Sequence, residues 1–256
     1  MVRLSTVARA TAFLSGVLVL VGCEGDVYRL GNGRTAQDGG MVAGDATDTP
    51  AQNNGAIDAD SCLHGQIKAS EVVWIGDTWV TIPGTQHTQV RDLARATHAI
   101  GQTDDYTLAA APFASMAATA AQYDTQESTQ TKAKVLIMDG GTFDTIQSGG
   151  SSASVTSVVA TFRQLLTQVA ADGTVEHIVY YLCPELAGIP GVAALRAPLQ
   201  QACAESSVPC HFLDLQKLWA GHPEYTDSSG IQSSAAGAAV IADQIWLIMQ
   251  QNCIAQ

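Results

Sequence analysis

Few side chains in this sequence can transfer a proton or attack a carbonyl, and they sit in short loops that follow apolar runs. In "VVWIGDTWV", the run Val72–Ile75 breaks at Gly76-Asp77 and is followed by Thr78 and Trp79. A buried strand that ends in Gly-Asp-Ser is a common way to present a serine nucleophile, and here threonine fills the serine position. A threonine hydroxyl can attack, but the Cβ methyl restricts χ1 and crowds the approach. A base must take its proton, and two histidines fall in loops near enough in sequence logic to be weighed. His222 lies in "GHPEYTD" together with Asp227, and His87 lies in "IPGTQHTQV". Each also has a plain structural role: His222 in a turn before Pro223, and His87 at the opening of the first helix. Cys183 ends an apolar run and would be reactive only if its thiol pKa were depressed. Asp77, Asp139 and Asp144 are all expected at strand ends, where turn and cap roles are commoner for Asp than metal ligation. No Cys/His spacing resembles a zinc site, and no metal or cofactor is expected.

The elements that must position these residues are legible as apolar runs. Val72–Ile75, Tyr106–Ala111, Ala133–Met138, Val175–Leu182 and Cys210–Leu215 are continuous rather than alternating, as strands buried on both faces of a parallel sheet are. Between them lie helical segments. Val155, Val158, Val159, Phe162, Leu165, Leu166 and Val169 mark one helical face, with Ser151-Ser152 to start it and Asp172-Gly173 to stop it. Further helices are expected over Thr88–Ile100, after Pro190, and over Ser234–Gln251, the last apolar nearly all round. The alternation predicts a three-layer α/β/α domain over residues 61–256 with a parallel sheet of about five strands. In such a sheet the ligand lies beyond the carboxyl ends of the strands. The relevant loops are therefore "GDTW", "APFAS", "DGGTFD", "CPEL" and the long stretch through "HPEYTDSSGIQSSAAG".

Those loops resemble the signature blocks of the SGNH-type, or GDSL-like, esterase and acylhydrolase superfamily. The similarity spans about residues 70–250 and is carried chiefly by "VVWIGDTW" and "GIQSSAAGAAVIADQIW". The resemblance implies a flavodoxin-like fold and ester hydrolysis without a cofactor. It puts Thr78 at the nucleophile and Phe113 near the oxyanion glycine. Phe143 falls at the oxyanion asparagine of a Gly-x-Asn-Asp block, which here reads Gly141-Thr142-Phe143-Asp144. Gln232 stands at the histidine and Ser229 at the aspartate three residues before it. Asp77, Gly141 and Asp144 are as the resemblance would have them. All four residues that name the superfamily are thus replaced. Glutamine does not titrate near neutral pH, and phenylalanine offers no side-chain donor. Two readings stay open. One is a catalytically degenerate binding or structural module, with Asp77, Trp79, Phe113, Gly141, Phe143 and Asp144 as its binding residues. The other is an active esterase of acyl or acetylated-saccharide esters, with Thr78 attacking and His222, as a replacement base, or a bound water assisting. The aromatics Trp79, Phe113 and Phe143 either form a platform for a sugar or acyl chain, or fill the cleft as core.

The start of the chain supplies a location. "MVRLSTVARATAFLSGVLVLVGCEG" places two arginines before a short apolar run ending in Leu-Val-Gly-Cys, a secretory signal that resembles a bacterial lipobox. Residues 1–22 would be removed, Cys23 would carry lipid, and 23–60 would be a Gly-, Asp- and Thr-rich tether. The expected protein is exported and lipid-anchored in the bacterial cell envelope. Its partner would be the membrane, through that anchor, with an acyl or acetylated saccharide as ligand. The net charge of −12 (12 bases, 24 acids) becomes −14 once Arg3 and Arg9 are lost (10 bases, 24 acids), which disfavours nucleic acid. Five cysteines remain besides Cys23. Cys203 with Cys210 and Cys62 with Cys253 could pair, leaving Cys183, although the sequence alone does not fix the pairing.

Overall fold

A computed structural model describes residues 67–81, 85–129, 132–186 and 191–254. The expected signal sequence, Cys23, the tether and Cys62 lie outside the described residues. The central sheet contains β1 (Val72–Ile75), β2 (Thr107–Leu108), β3 (Val135–Met138), β4 (His177–Leu182) and β5 (Cys210–Asp214), all parallel, in the order β2-β1-β3-β4-β5. Around it lie α1 (Thr78–Thr81), α2 (Thr85–Ala96), α3 (Met116–Glu127), α4 (Thr142–Ser148), α5 (Ser152–Asp172), α6 (Val192–Ala204), α7 (Gln216–Trp219) and α8 (Ala235–Gln251). Helix α2 packs on α8, while α3, α5 and α6 pack in a row, so helices form the outer layers. The chain leaves β1 toward one edge and reverses at β3 to build toward the other. That reversal makes the gap between the carboxyl ends of β1 and β3 the natural ligand crevice.

Burial explains which apolar runs became which strands. Every residue of β1 and β3 is buried, and so is all of β4 after His177. Central parallel strands covered on both faces need such unbroken apolar runs. The run Tyr106–Ala111, expected as a strand, contributes only Thr107–Leu108 to the ladder. It lies at the sheet edge with β1 as its single neighbour. Beyond Leu108 the chain still follows β1, with Ala109 N–H donating to Trp74 O at 2.8 Å and Ala111 N–H to Gly76 O at 3.2 Å. It then swings over the strand ends.

Helix ends follow local chemistry. Ser151 caps α5 by accepting from Ser154 N–H, and Gly173 ends it in a left-handed conformation. Ser234 caps α8 by accepting from Gly237 N–H at 3.2 Å. The helix expected over Thr88–Ile100 starts three residues earlier, ends four residues earlier at Ala96, and stops before His98, whose φ is 62°. Helices α3 and α4 have no counterpart among the helices read from sequence.

Cys203 and Cys210 form a disulfide with Cα atoms 5.2 Å apart, joining the end of α6 to the start of β5. Cys253 is also disulfide-bonded, and Cys183 is free and buried. The short loop closed by Cys203–Cys210 removes modest entropy from the unfolded chain, worth about 2 kcal/mol on a loop-length argument. The double variant Cys203→Ala/Cys210→Ala is expected to lose about that much in urea unfolding, and a loss near zero would mean the loop is held by packing alone.

Candidate functional site

The site starts at the break after β1. Gly76 adopts φ 139°, and a Cβ there would lie 1.9 Å from Asp139 Oδ1, so only glycine lets the carboxyl end of β3 close on β1. The side-chain amide of Gln122 on α3 bridges the same glycine, accepting from Gly76 N–H at 2.7 Å and donating to Gly76 O at 3.0 Å. Asp77 N–H donates to Asp139 Oδ1 at 2.6 Å. Asp77 Oδ1 in turn accepts from Trp79 N–H at 3.0 Å, which caps the single turn α1. Asp77, Thr78 and Asp139 are buried.

Thr78 Oγ1 accepts a hydrogen bond from Phe113 N–H at 2.9 Å. Phe113 has φ 61°, a left-handed conformation that costs a side-chain-bearing residue roughly 1–2 kcal/mol. The strain coincides with the position where the resemblance expects glycine. The loop carrying Phe113 is pinned by Asp144, whose Oδ2 accepts from Met116 N–H at 2.8 Å, and by Ser115, which caps α3. Burial pushes the Asp144 carboxyl above its usual range. Gly141, at φ 86°, starts α4, and a Cβ there would meet Val158 Cγ1 at 2.6 Å.

These residues surround a pocket of about 100 Å³ lined by Asp77, Thr78, Trp79, Phe113, Thr142, Phe143, Ile146, Ile231 and Gln232. The rings of Phe113 and Phe143 lie 5.7 Å apart. Phe113 is 56% exposed and Ile146 39%, so an apolar rim faces solvent. Trp79 is different: it is buried and packs on Trp219 at 5.8 Å. The aromatic set therefore divides, with Trp79 serving as core and Phe113 and Phe143 as the rim.

Six of the residues singled out in the sequence, Asp77, Thr78, Trp79, Phe113, Phe143 and Gln232, come together at the pocket. Gly141 and Asp144 support it from beneath. Gln232 is carried by a hairpin closed by the Thr226–Ser233 bridge and by Asp227 N–H donating to Gln232 O at 2.9 Å. Ser233 is held by Gln86 Nε2 at 3.1 Å. Ser229 is exposed on the same hairpin and bonds Asp227, away from the pocket lining. His222 is also exposed, with Nδ1 2.8 Å from Glu224 Oε1 and its ring stacked on Tyr225 at 4.5 Å. It does not line the pocket. His87 is buried, 3.1 Å from Tyr106 O and edge-on to Trp74. Burial lowers its pKa, which suits a neutral core imidazole. Cys183 is buried beside Thr142 Oγ1 at 3.1 Å, and burial pushes its thiol pKa up, so it is not activated.

Sequence reasoning missed four contributors. Ile146 lies one helical turn from Phe143, an i, i+3 spacing that was legible once α4 was known. Ile231 adjoins Gln232. Thr142 and the Gln122 bridge carry no signal in the sequence pattern.

No family model matches this sequence, and no curated protein matches it. Solved structures do. A mutant acetyl esterase solved with acetate ion shares 13% identity over 71% of this chain and 97% of its own, with TM-score 0.57. A carbohydrate esterase family 3 protein from Talaromyces cellulolyticus shares 13% over 71% and 97%, with TM-score 0.55. An acetyl xylan esterase shares 13% over 69% and 98%, with TM-score 0.54. At these identities the likeness is one of fold.

Proposed function

We propose that this chain, which has the SGNH-type (GDSL-like) hydrolase fold of those esterases, is a cell-envelope lipoprotein that binds a short acyl group, such as the acetyl group of a saccharide, without hydrolysing it. The observation that carries the reading is the lining of the pocket. It holds two threonines, an amide, a carboxylate and an apolar rim, and no imidazole or amine among the described residues. Ester hydrolysis on this fold needs a base for the nucleophile and free donors for the oxyanion. Among the described residues no such base lines the pocket beside Thr78, and Phe113 N–H is spent on the Thr78 hydroxyl itself. Losing one oxyanion donor costs about 10²–10³ in rate, and losing the base removes most of the remainder.

Size supports a small acyl group. About 100 Å³ corresponds to roughly three water volumes, enough for an acetyl or propionyl group and too little for a long chain. The acetyl and carbohydrate esterases of the same fold support an acetylated saccharide as the carrier. Lipidation at Cys23 after loss of residues 1–22 would hold the domain at the membrane on the 23–60 tether.

One observation favours the alternative, an active esterase: Thr78 remains at the pocket wall. Assay of the full chain in detergent against short acyl esters and acetylated sugars, with Thr78→Ala beside it, separates the two. The expected result is no turnover above the Thr78→Ala background. Turnover that disappears in Thr78→Ala would establish an enzyme and overturn the binding reading.

A further inference from the structure

We infer that Asp139 is a positioning residue for the pocket: its buried carboxyl group, held as the neutral acid, clamps the Gly76–Thr78 turn in the geometry that faces the ligand. The inference rests on the binding reading above. Asp139 directly follows β3, at the point where the sheet order reverses, and it is 3% exposed. Its Oδ1 holds Asp77 N–H at 2.6 Å. Its Oδ2 is buried with no hydrogen-bond partner among the described residues. An ionised carboxylate with one bare oxygen is strongly disfavoured in such a place, whereas the neutral acid is tolerated.

Only the backbone N–H groups of Asp77 and of Asp139 itself favour the charge, and burial and the neighbouring acids outweigh them. Asp77 faces Asp139 from the end of β1, and Asp144 on α4 is near enough to act on the same cluster. From β4 and the loop after it come Tyr180, Tyr181 and Cys183. All of these are neutral or acidic. Arg196 acts on Cys183 and is itself paired with Asp214 at 2.9 Å. Burial first, and then the neighbouring Asp77, lift the Asp139 carboxyl well above the ordinary carboxylate range.

The link to the ligand runs through short contacts. Asp139 holds Asp77, Asp77 caps Trp79 N–H, and the same turn presents Thr78 to Phe113 N–H. Asp77, Thr78, Trp79 and Phe113 all line the pocket. When Asp139 loses its proton, a negative charge appears beside Asp77 in a dry site, and the turn must shift to relieve it. The sign follows from a folded-state pKa raised above the unfolded value of about 4. The contribution of Asp139 to stability is fully present below that pH and is lost as pH rises through the raised value. Ligand affinity falls as pH rises through the raised value.

Asp139→Asn tests this. It keeps an oxygen acceptor for Asp77 N–H, puts an amide where the acid hydroxyl was, and cannot ionise. Three readouts on the full chain in detergent are compared with the unmodified protein. An infrared carbonyl band of a protonated carboxylic acid is expected in the unmodified protein and absent from Asp139→Asn. Urea stability is expected to fall with rising pH in the unmodified protein and to be flatter in the variant. Affinity for an acetylated oligosaccharide is expected to fall at least threefold as pH rises through the raised value in the unmodified protein and to stay level in Asp139→Asn. Asp139→Ala, which leaves Asp77 N–H unpaired, is expected to bind about tenfold more weakly at every pH. If the two proteins share one pH profile of affinity, or no acid band is lost, the clamp is wrong while the binding reading survives. If neither binds at any pH but the band and the stability difference are present, the binding reading fails and the clamp of the turn stands.

Discussion

Gly76→Ala is expected to cost about 3 kcal/mol or more of stability, the sum of overpacking and left-handed backbone strain. The new Cβ would lie 1.9 Å from Asp139 Oδ1 and 2.9 Å from Val80 Cγ2, at φ 139°. Neither neighbour can withdraw freely. Asp139 is tied to Asp77 N–H, and Val80 is fully buried. The clash can be divided from the strain by a double-mutant cycle with Asp139→Ala. In that background the extra methyl meets less, so Gly76→Ala should cost measurably less than in the unmodified protein. Equal costs in both backgrounds would mean that backbone strain alone makes the glycine necessary and that its contact with Asp139 is incidental.

Phe113→Gly separates stability from binding. Glycine removes the left-handed strain at φ 61°, roughly 1–2 kcal/mol, and adds unfolded-state entropy of about 0.5–1 kcal/mol against it. The lost contact with Phe143, at 5.7 Å, is worth about 0.5–1.5 kcal/mol. Phe113 is 56% exposed, so little burial is lost. These effects nearly cancel, and unfolding should shift by less than about 1 kcal/mol. Ligand affinity should fall about tenfold, because half the apolar rim is gone; that corresponds to about 1.4 kcal/mol. A large aromatic residue whose removal leaves stability unchanged but weakens binding is one kept for its surface. Loss of stability without loss of binding would make Phe113 a packing residue and would weaken the account of the pocket.

The central layer of the fold was legible because parallel strands covered on both faces need continuous apolar runs. Val72–Ile75 and Ala133–Met138 are such runs; the first is β1 throughout and the second holds β3 from Val135. Helix α5 was legible from its apolar face and its Ser151 and Gly173 ends. The edge was not, since Tyr106–Ala111 is as apolar as a central strand yet leaves the ladder after two residues to carry Phe113 over the site. Helix α3 escaped because its Ala- and Thr-rich sequence, "MAATAAQYDTQE", has little amphipathic contrast. At the site, the positions were readable from the strand-end loops, and the contacts were not. Nothing in the spelling of Gly76 and Asp139, 63 residues apart, says that one oxygen fills the space of the missing side chain.

Binding without turnover is tested most directly by incubating the full chain with an acetylated xylo-oligosaccharide and with its deacetylated counterpart. Affinity is measured calorimetrically, and released acetate is measured in the same samples. The account predicts saturable binding that requires the acetyl group, quenching or shift of Trp79 fluorescence on binding, and full recovery of the acetylated ligand. Stoichiometric or catalytic release of acetate, or equal affinity for the deacetylated sugar, would contradict it.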